Sequence, residues 1–136
     1  MAILGLDYGA KKIGVAKSDE FGSFAMPFEI IRSDNLQAII ERLKAIIFQE
    51  SITKIVVGLP ISLADVEAKS DNQQLKEVKE FVEQLKASLS LPLIFEDERL
   101  SSKQAGEMIR NSPQKGDDDA VAAMLVLQTY LDKRRN

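Results

Sequence analysis

Apolar positions along the chain fall first into three short extended runs and then switch to a helical period. Ile3-Leu4-Gly5-Leu6 is a continuous apolar stretch ending in Asp7-Tyr8-Gly9, which predicts a buried strand followed by turn residues. Lys12 to Ser18 and Phe24 to Arg32 contain β-branched and aromatic residues and are separated by Asp19-Glu20-Phe21-Gly22, so two further strands and an antiparallel meander are expected. Leu36, Ile39, Ile40, Leu43, Ile46 and Ile47 then follow the i, i+3, i+4, i+7 spacing of an amphipathic helix, for which Asp34 is the expected N-cap. Lys54 to Pro60 reads as a fully buried strand stopped by Gly58 and Pro60. Leu75, Val78, Phe81, Val82, Leu85 and Leu89 mark a second amphipathic helix, and Leu91 to Glu98 supplies the next strand. A short helix over Ser101 to Arg110, a polar loop over Asn111 to Gly116 and a last helix from about Asp118 to Lys133 complete the pattern, with Ser62 to Asn72 a long polar connection.

The order β-β-β-α-β-α-β-α-α implies an α/β fold with one mixed five-stranded sheet, its antiparallel meander extended by parallel crossover strands and flanked by helices. At 136 residues the whole chain, 1–136, is expected to form a single domain. The start of the sequence lacks the basic region of a signal peptide and no run approaches the ~20 apolar residues of a membrane helix, so a cytoplasmic protein with no membrane partner is expected.

Composition narrows the chemistry. There is no cysteine and no histidine, so disulfides, thiolate sites, imidazole bases and the usual zinc ligands are excluded. Acid-base or metal chemistry must run on carboxylates, lysines, hydroxyls or water. A net charge of −3 argues mildly against bulk electrostatic binding of nucleic acid, but an active site that holds metal must itself carry uncompensated acids.

Acids gather in three places. Asp7 stands at the C-terminal end of the first strand, where a carboxylate is rigidly held yet reaches the crevice that forms at strand ends; a turn aspartate bonding nearby amides is the ordinary alternative. Glu96-Asp97-Glu98 ends an apolar strand, with Glu96 and Glu98 on one face and Asp97 on the other; a solvated strand end that caps the next helix is the ordinary alternative. Asp117-Asp118-Asp119 opens a helix that is apolar almost all round. The helix dipole alone favours acids there, but a helix so apolar must pack inside the domain and carry these carboxylates toward the sheet. Together the three form a set that two-metal phosphodiester hydrolysis could use, since Mg²⁺ takes hard oxygen ligands and paired ions activate water and stabilise the leaving oxygen.

Leu4 to Ala16, Asp97-Glu98-Arg99-Leu100-Ser101-Ser102, Asp119-Ala120-Val121-Ala122-Ala123 running into Leu127-Gln128-Thr129-Tyr130-Leu131, and Val57-Gly58-Leu59-Pro60 resemble, in this order, the YqgF (RuvX) family of pre-16S ribosomal RNA nucleases related to Holliday junction resolvases. The resemblance spans essentially the whole chain. It implies an RNase H-like fold, with the family's acids falling on Asp7, Glu98 and Asp119 as catalytic and metal-holding residues for Mg²⁺ or Mn²⁺. Alignment to the motif is what selects Glu98 over Asp97 and Asp119 over Asp118. The sequence departs from the family where Ile61 to Ser70 contains no glycine and where Ser101-Ser102 replaces Thr-Thr.

The implied partner is nucleic acid, RNA in preference to DNA, including ribosomal precursor particles, with processing of pre-16S rRNA ends as the implied activity. A noncatalytic RNA-binding or assembly factor and a junction resolvase acting on DNA are the alternatives, and the protein is expected to be a monomer or homodimer. Lys12 and Arg99 are candidates to hold a substrate phosphate, beside the more ordinary role of surface pairing.

Overall fold

The structure, a computed structural model, describes residues 2–9, 12–59, 73–97 and 118–135. Its elements are β1 (Ala2–Asp7), β2 (Lys12–Ser18), β3 (Ala25–Arg32), α1 (Leu36–Gln49), β4 (Ile52–Leu59), α2 (Gln73–Ser88), β5 (Leu93–Asp97) and α3 (Asp118–Arg135). The helix expected over 101–110, the loop over 111–116 and the connection over 62–72 lie outside the described residues.

The five strands form one mixed sheet in the order β3-β2-β1-β4-β5. β1 pairs antiparallel with β2, and β2 antiparallel with β3, whereas β4 runs parallel to both β1 and β5. The mixed sheet anticipated from the hydrophobic pattern is the one observed. β1 is central because every one of its residues is apolar or small up to Asp7, and all six are buried. Alternation along it splits the core in two. Leu4 and Leu6 join the apolar stripes of α1 and α2 on one face, while Ile3 joins Ala16, Val56 and the buried side of α3 on the other.

Several boundaries differ from the sequence reading, each for a local reason. The N-cap of α1 is Asn35 and not Asp34: Asn35 is extended, and its side-chain oxygen accepts from the amides of Gln37 at 2.9 Å and Ala38 at 3.3 Å. β3 begins at Ala25 because the amide of Phe24 is spent on the Asp19 carboxylate, 2.9 Å away. β5 begins at Leu93, since Pro92 has no N–H and contributes only its carbonyl, which accepts from the Ile55 amide at 3.0 Å. β4 starts earlier than expected, at Ile52, because the chain turns out of α1 sharply at Ser51, whose φ is 54°.

Two long-range ties fix the periphery. Arg42 of α1 grips Glu29 of β3 through two hydrogen bonds of 2.8 and 2.5 Å, and this partner holds the Glu29 carboxyl below its usual range. On the opposite face, the Gln128 side chain of α3 accepts from the Ala25 amide at 2.8 Å and donates to the Ser23 carbonyl at 3.2 Å, clamping the β2–β3 turn to the last helix.

α3 can lie close to the sheet because β1 and β4 present glycine to it. A Cβ on Gly5 would stand 2.7 Å from Leu127 Cβ and 3.1 Å from the Ala123 carbonyl oxygen, and one on Gly58 would stand 2.7 Å from Val126 Cγ2. Gly5→Ala should therefore cost about 1 to 3 kcal/mol in urea unfolding, since the atoms it meets are backbone or Cβ and cannot swing aside. Ser51→Gly should gain roughly 0.5 to 1 kcal/mol in the same assay by removing the Cβ penalty of a left-handed residue.

Candidate active site

Asp7 is the last residue of the central strand and is only 5% exposed. A carboxylate in such a place must be held by something, because burial disfavours its charged form. Its lateral neighbours in the sheet are both glycines, Gly14 on β2 and Gly58 on β4, so no side chain from either strand stands beside it at that level. Strand glycines of this kind often mark a place where another group approaches closely. In sequence Gly14 was visible as a strand residue and Gly58 as a strand stop, but their flanking of Asp7 depends on the strand register.

Asp7 shares its face of the sheet with Ile3 and Gly5, the face covered by α3. Gly22 lies against both Ile3 and Arg134, while Gly5 lies against Leu127 and Ala123, so α3 runs opposite in sense to β1. The next position of β1 on that face beyond Gly5 is Asp7, and the next turn of α3 beyond Ala123 is at Asp119. The parallel strands β1, β4 and β5 end on the same edge of the sheet, at Asp7, Leu59 and Asp97, and α3 begins toward that edge.

The backbone thus brings three of the acid-bearing segments together. Glu98 follows directly on the end of β5 and lies outside the described residues, as do Arg99 and the side chains of Asp97, Asp118 and Asp119. Among the described residues no group of three or more His, Cys, Asp or Glu is assembled to hold a metal. Glu96, the other acid of the strand-end run, is engaged elsewhere: it pairs with Lys133 of α3 at 3.1 Å. Lys12 opens β2 on the same edge as Asp7 and is exposed.

Immediately after Asp7 the chain is fastened. The Tyr8 amide donates to the Gly58 carbonyl at 3.1 Å, and the Tyr8 ring packs on Phe81 of α2 with centroids 4.9 Å apart. Burial, followed by the nearby charges of Glu77 and Glu80, pushes the Tyr8 hydroxyl above its usual range. This ring contact was not anticipated, because nothing in the local pattern pairs residue 8 with residue 81. Beyond Tyr8, on the face of the sheet opposite Asp7, a cavity of about 570 Å³ is lined in part by Asp34, Glu77 and Glu80. Those acids lie across the sheet from Asp7 and make no common site with it.

A donor set made only of carboxylates suits a hard divalent cation, and the rigid, buried Asp7 at a strand end fits such a group. The fold is that of the RuvC-type nucleases. Thermus thermophilus RuvC, solved in complex with a Holliday junction substrate, superposes with a TM-score of 0.62 over 100% of this chain and 96% of its own, at 13% identity. The fowlpox virus resolvase, solved with Holliday junction DNA, gives 0.55 over 100% of both chains at 11% identity. The chain belongs to the RuvX family, whose model, described as Holliday junction resolvase, matches residues 1–133. Relatives from Sulfurihydrogenibium (40% identical, 96% of this chain and 90% of theirs) and Rickettsia akari (33%, 98% and 88%) carry the name "Putative pre-16S rRNA nuclease". Among the described residues no helix is long and apolar enough to cross a membrane.

Asp7→Asn should keep the fold and should not lower the unfolding midpoint, because the amide relieves the burial of charge while keeping the shape. Circular dichroism and thermal melting check this, and a loss above about 2 kcal/mol would instead make Asp7 a structural hydrogen-bonding residue.

Proposed function

We propose that the chain, as one domain over 1–136, is a divalent-metal-dependent endonuclease that hydrolyses nucleic-acid phosphodiester bonds, most fittingly at the ends of pre-16S rRNA within ribosomal precursor particles in the cytoplasm. The observation that carries this is the buried Asp7 at the end of the central strand, with β5 ending and α3 beginning at the same edge of the sheet. Membership of the RuvX family and the names of the relatives at 33% and 40% identity support it.

In this reading Asp7, Glu98 and Asp119 hold Mg²⁺ or Mn²⁺. The bound metal supplies Lewis-acid stabilisation of the charge that develops on the phosphate, which is the main catalytic task in such a reaction. The chain's own part is positional. The Tyr8 amide and ring fix the backbone just after Asp7, and contact with Gly5 sets how far along β1 the first turn of α3 lies. Lys12, exposed on the same edge, would hold a substrate phosphate in this reading. A second reading, cleavage of branched DNA, is favoured by the resolvase description of the family model.

The test incubates the protein with precursor ribosomal RNA, single-stranded RNA and a four-way DNA junction, with Mg²⁺ or Mn²⁺. Asp7→Asn, Glu98→Gln and Asp119→Asn should each reduce cleavage on the order of 100-fold or more while remaining folded. The substrate that is cut separates RNA processing from junction resolution, and a folded wild-type protein that cuts none of them would favour a noncatalytic assembly factor. Independently of activity, Mg²⁺ should raise the melting temperature of the wild type and leave that of Asp7→Asn unmoved.

A further inference from the structure

Among the described residues, most of the large apolar side chains that stand in water gather at one edge of the sheet. Phe21 is 87% exposed, Phe24 65%, Met26 45% and Phe28 37%, all of them in the β2–β3 turn or on the edge strand β3. Ala25 packs on the α3 side, so Phe24 and Met26 stand on the opposite face. The Lys17 ammonium lies 5.8 Å from the Phe28 ring, and Lys17 is the strand partner of Met26, which brings Phe28 to the same side. At ~200 Å² per large ring, this strip exposes on the order of 400 Å² of apolar surface, about half of the ~800 Å² that one partner gives to a stable interface between proteins.

The backbone that displays the strip is firmly built. The Asp19 carboxylate accepts from the Ser23 amide at 2.7 Å and the Phe24 amide at 2.9 Å, and Gln128 clamps the far side of the turn to α3. Rings held in place this way lose little freedom on docking. The edge is poorly suited to extending the sheet: Pro27 removes a donor, and the register with β2 shifts between Val15 and Ala16, which leaves Phe28 as an extra residue in a bulge. A partner therefore meets the strip through side chains and not through a strand ladder.

The two sides of the strip carry opposite charge. On the α1 side, a concavity of about 340 Å³ beside Met26 is lined in part by Lys17, Asp19, Glu20 and Glu50. Lys17 is matched by Glu50 at 2.6 Å, so Asp19 and Glu20 leave that side negative. On the α3 side, the last helical turn, 132–135, carries three cations against one acid. Lys133 turns to Glu96, whereas Arg134 lies over the β2–β3 turn, where a Cβ on Gly22 would stand 3.7 Å from its Nη1. Both charged sides sit at the end of the sheet where β1 begins, since Gly22 also lies against Ile3 and Ala2 lines the concavity. A two-fold axis running along the strip sets rings on rings and the Arg134 of each copy over the acids of the other, which is the self-complementarity an isologous dimer needs.

We infer that Phe21, Phe24, Met26 and Phe28 form the centre of a two-fold symmetric interface between two copies of this chain, with Arg134 of each copy against Asp19 and Glu20 of the other. The interface lies at the end of the sheet away from Asp7 and leaves that edge uncovered in both copies. The test is sedimentation equilibrium of the full chain from low to high micromolar concentration, in which the wild type dimerises. Phe21→Ser with Phe24→Ser should weaken dimerisation about tenfold or more, with an unchanged circular dichroism spectrum because both rings are already in water. Arg134→Glu and Glu20→Lys should each weaken it about tenfold by setting like charges against each other across the interface. An equimolar mixture of those two variants should dimerise more tightly than either alone, because opposite charges then face each other at both ends. A wild type that stays monomeric throughout, a dimer that the serine pair leaves intact, or a mixture that associates no better than its separate components would each overturn the interface.

Discussion

The contact of α3 with the glycines of the two central strands governs where everything else falls. Gly5 and Gly58 leave room for Leu127, Ala123 and Val126 to reach the backbone of the sheet, and no other residue could stand at either place without pushing the helix away. That depth of approach lets one helix cover the face formed by Ile3, Ala16 and Val56. It also sets the height of the helix along β1, so that the first turn of α3 lies beyond Ala123 toward the end of the strand where Asp7 stands. Packing in the core and placement of acids at the rim are consequences of the same close approach.

The two faces of the sheet are built differently. On one, α1 and α2 contribute amphipathic stripes of large aliphatic residues with Phe81 between them, and the tolerance for exact position is that of ordinary side-chain interdigitation. On the other, a single helix with small residues meets glycine. Asp7 stands on this second side, where backbone-to-backbone distance is short and little can shift. A rigid arrangement of carboxylates is easier to keep on a support of that kind than on long, flexible side chains.

Much of this was legible from the sequence. The apolar run ending in Asp7, the helical spacing from Leu36 to Ile47 and the buried strand before Gly58 each depend on local periodicity, and the order of elements then left few topologies open. The N-cap was misplaced by one residue because Asp34 and Asn35 are both good caps, and only the backbone angle of Asn35 decides between them. The flanking of Asp7 by Gly14 and Gly58, the Tyr8–Phe81 contact and the Gln128 clamp could not be read in advance, since each joins residues far apart in the chain through a register that periodicity does not specify. At the candidate site the sequence names Asp7, Glu98 and Asp119 through a motif; of these, Asp7 is described fully and Asp119 by its backbone position in α3.

The Gln128 clamp has a bearing on how the protein is made. It ties a turn formed from residues 19–24 to a helix more than a hundred positions later. The meander is translated before α3, so the face of it that α3 covers stays bare until that helix has been made. For that interval the nascent chain exposes Ile3 and Ala16, the apolar positions of the meander that α3 later covers.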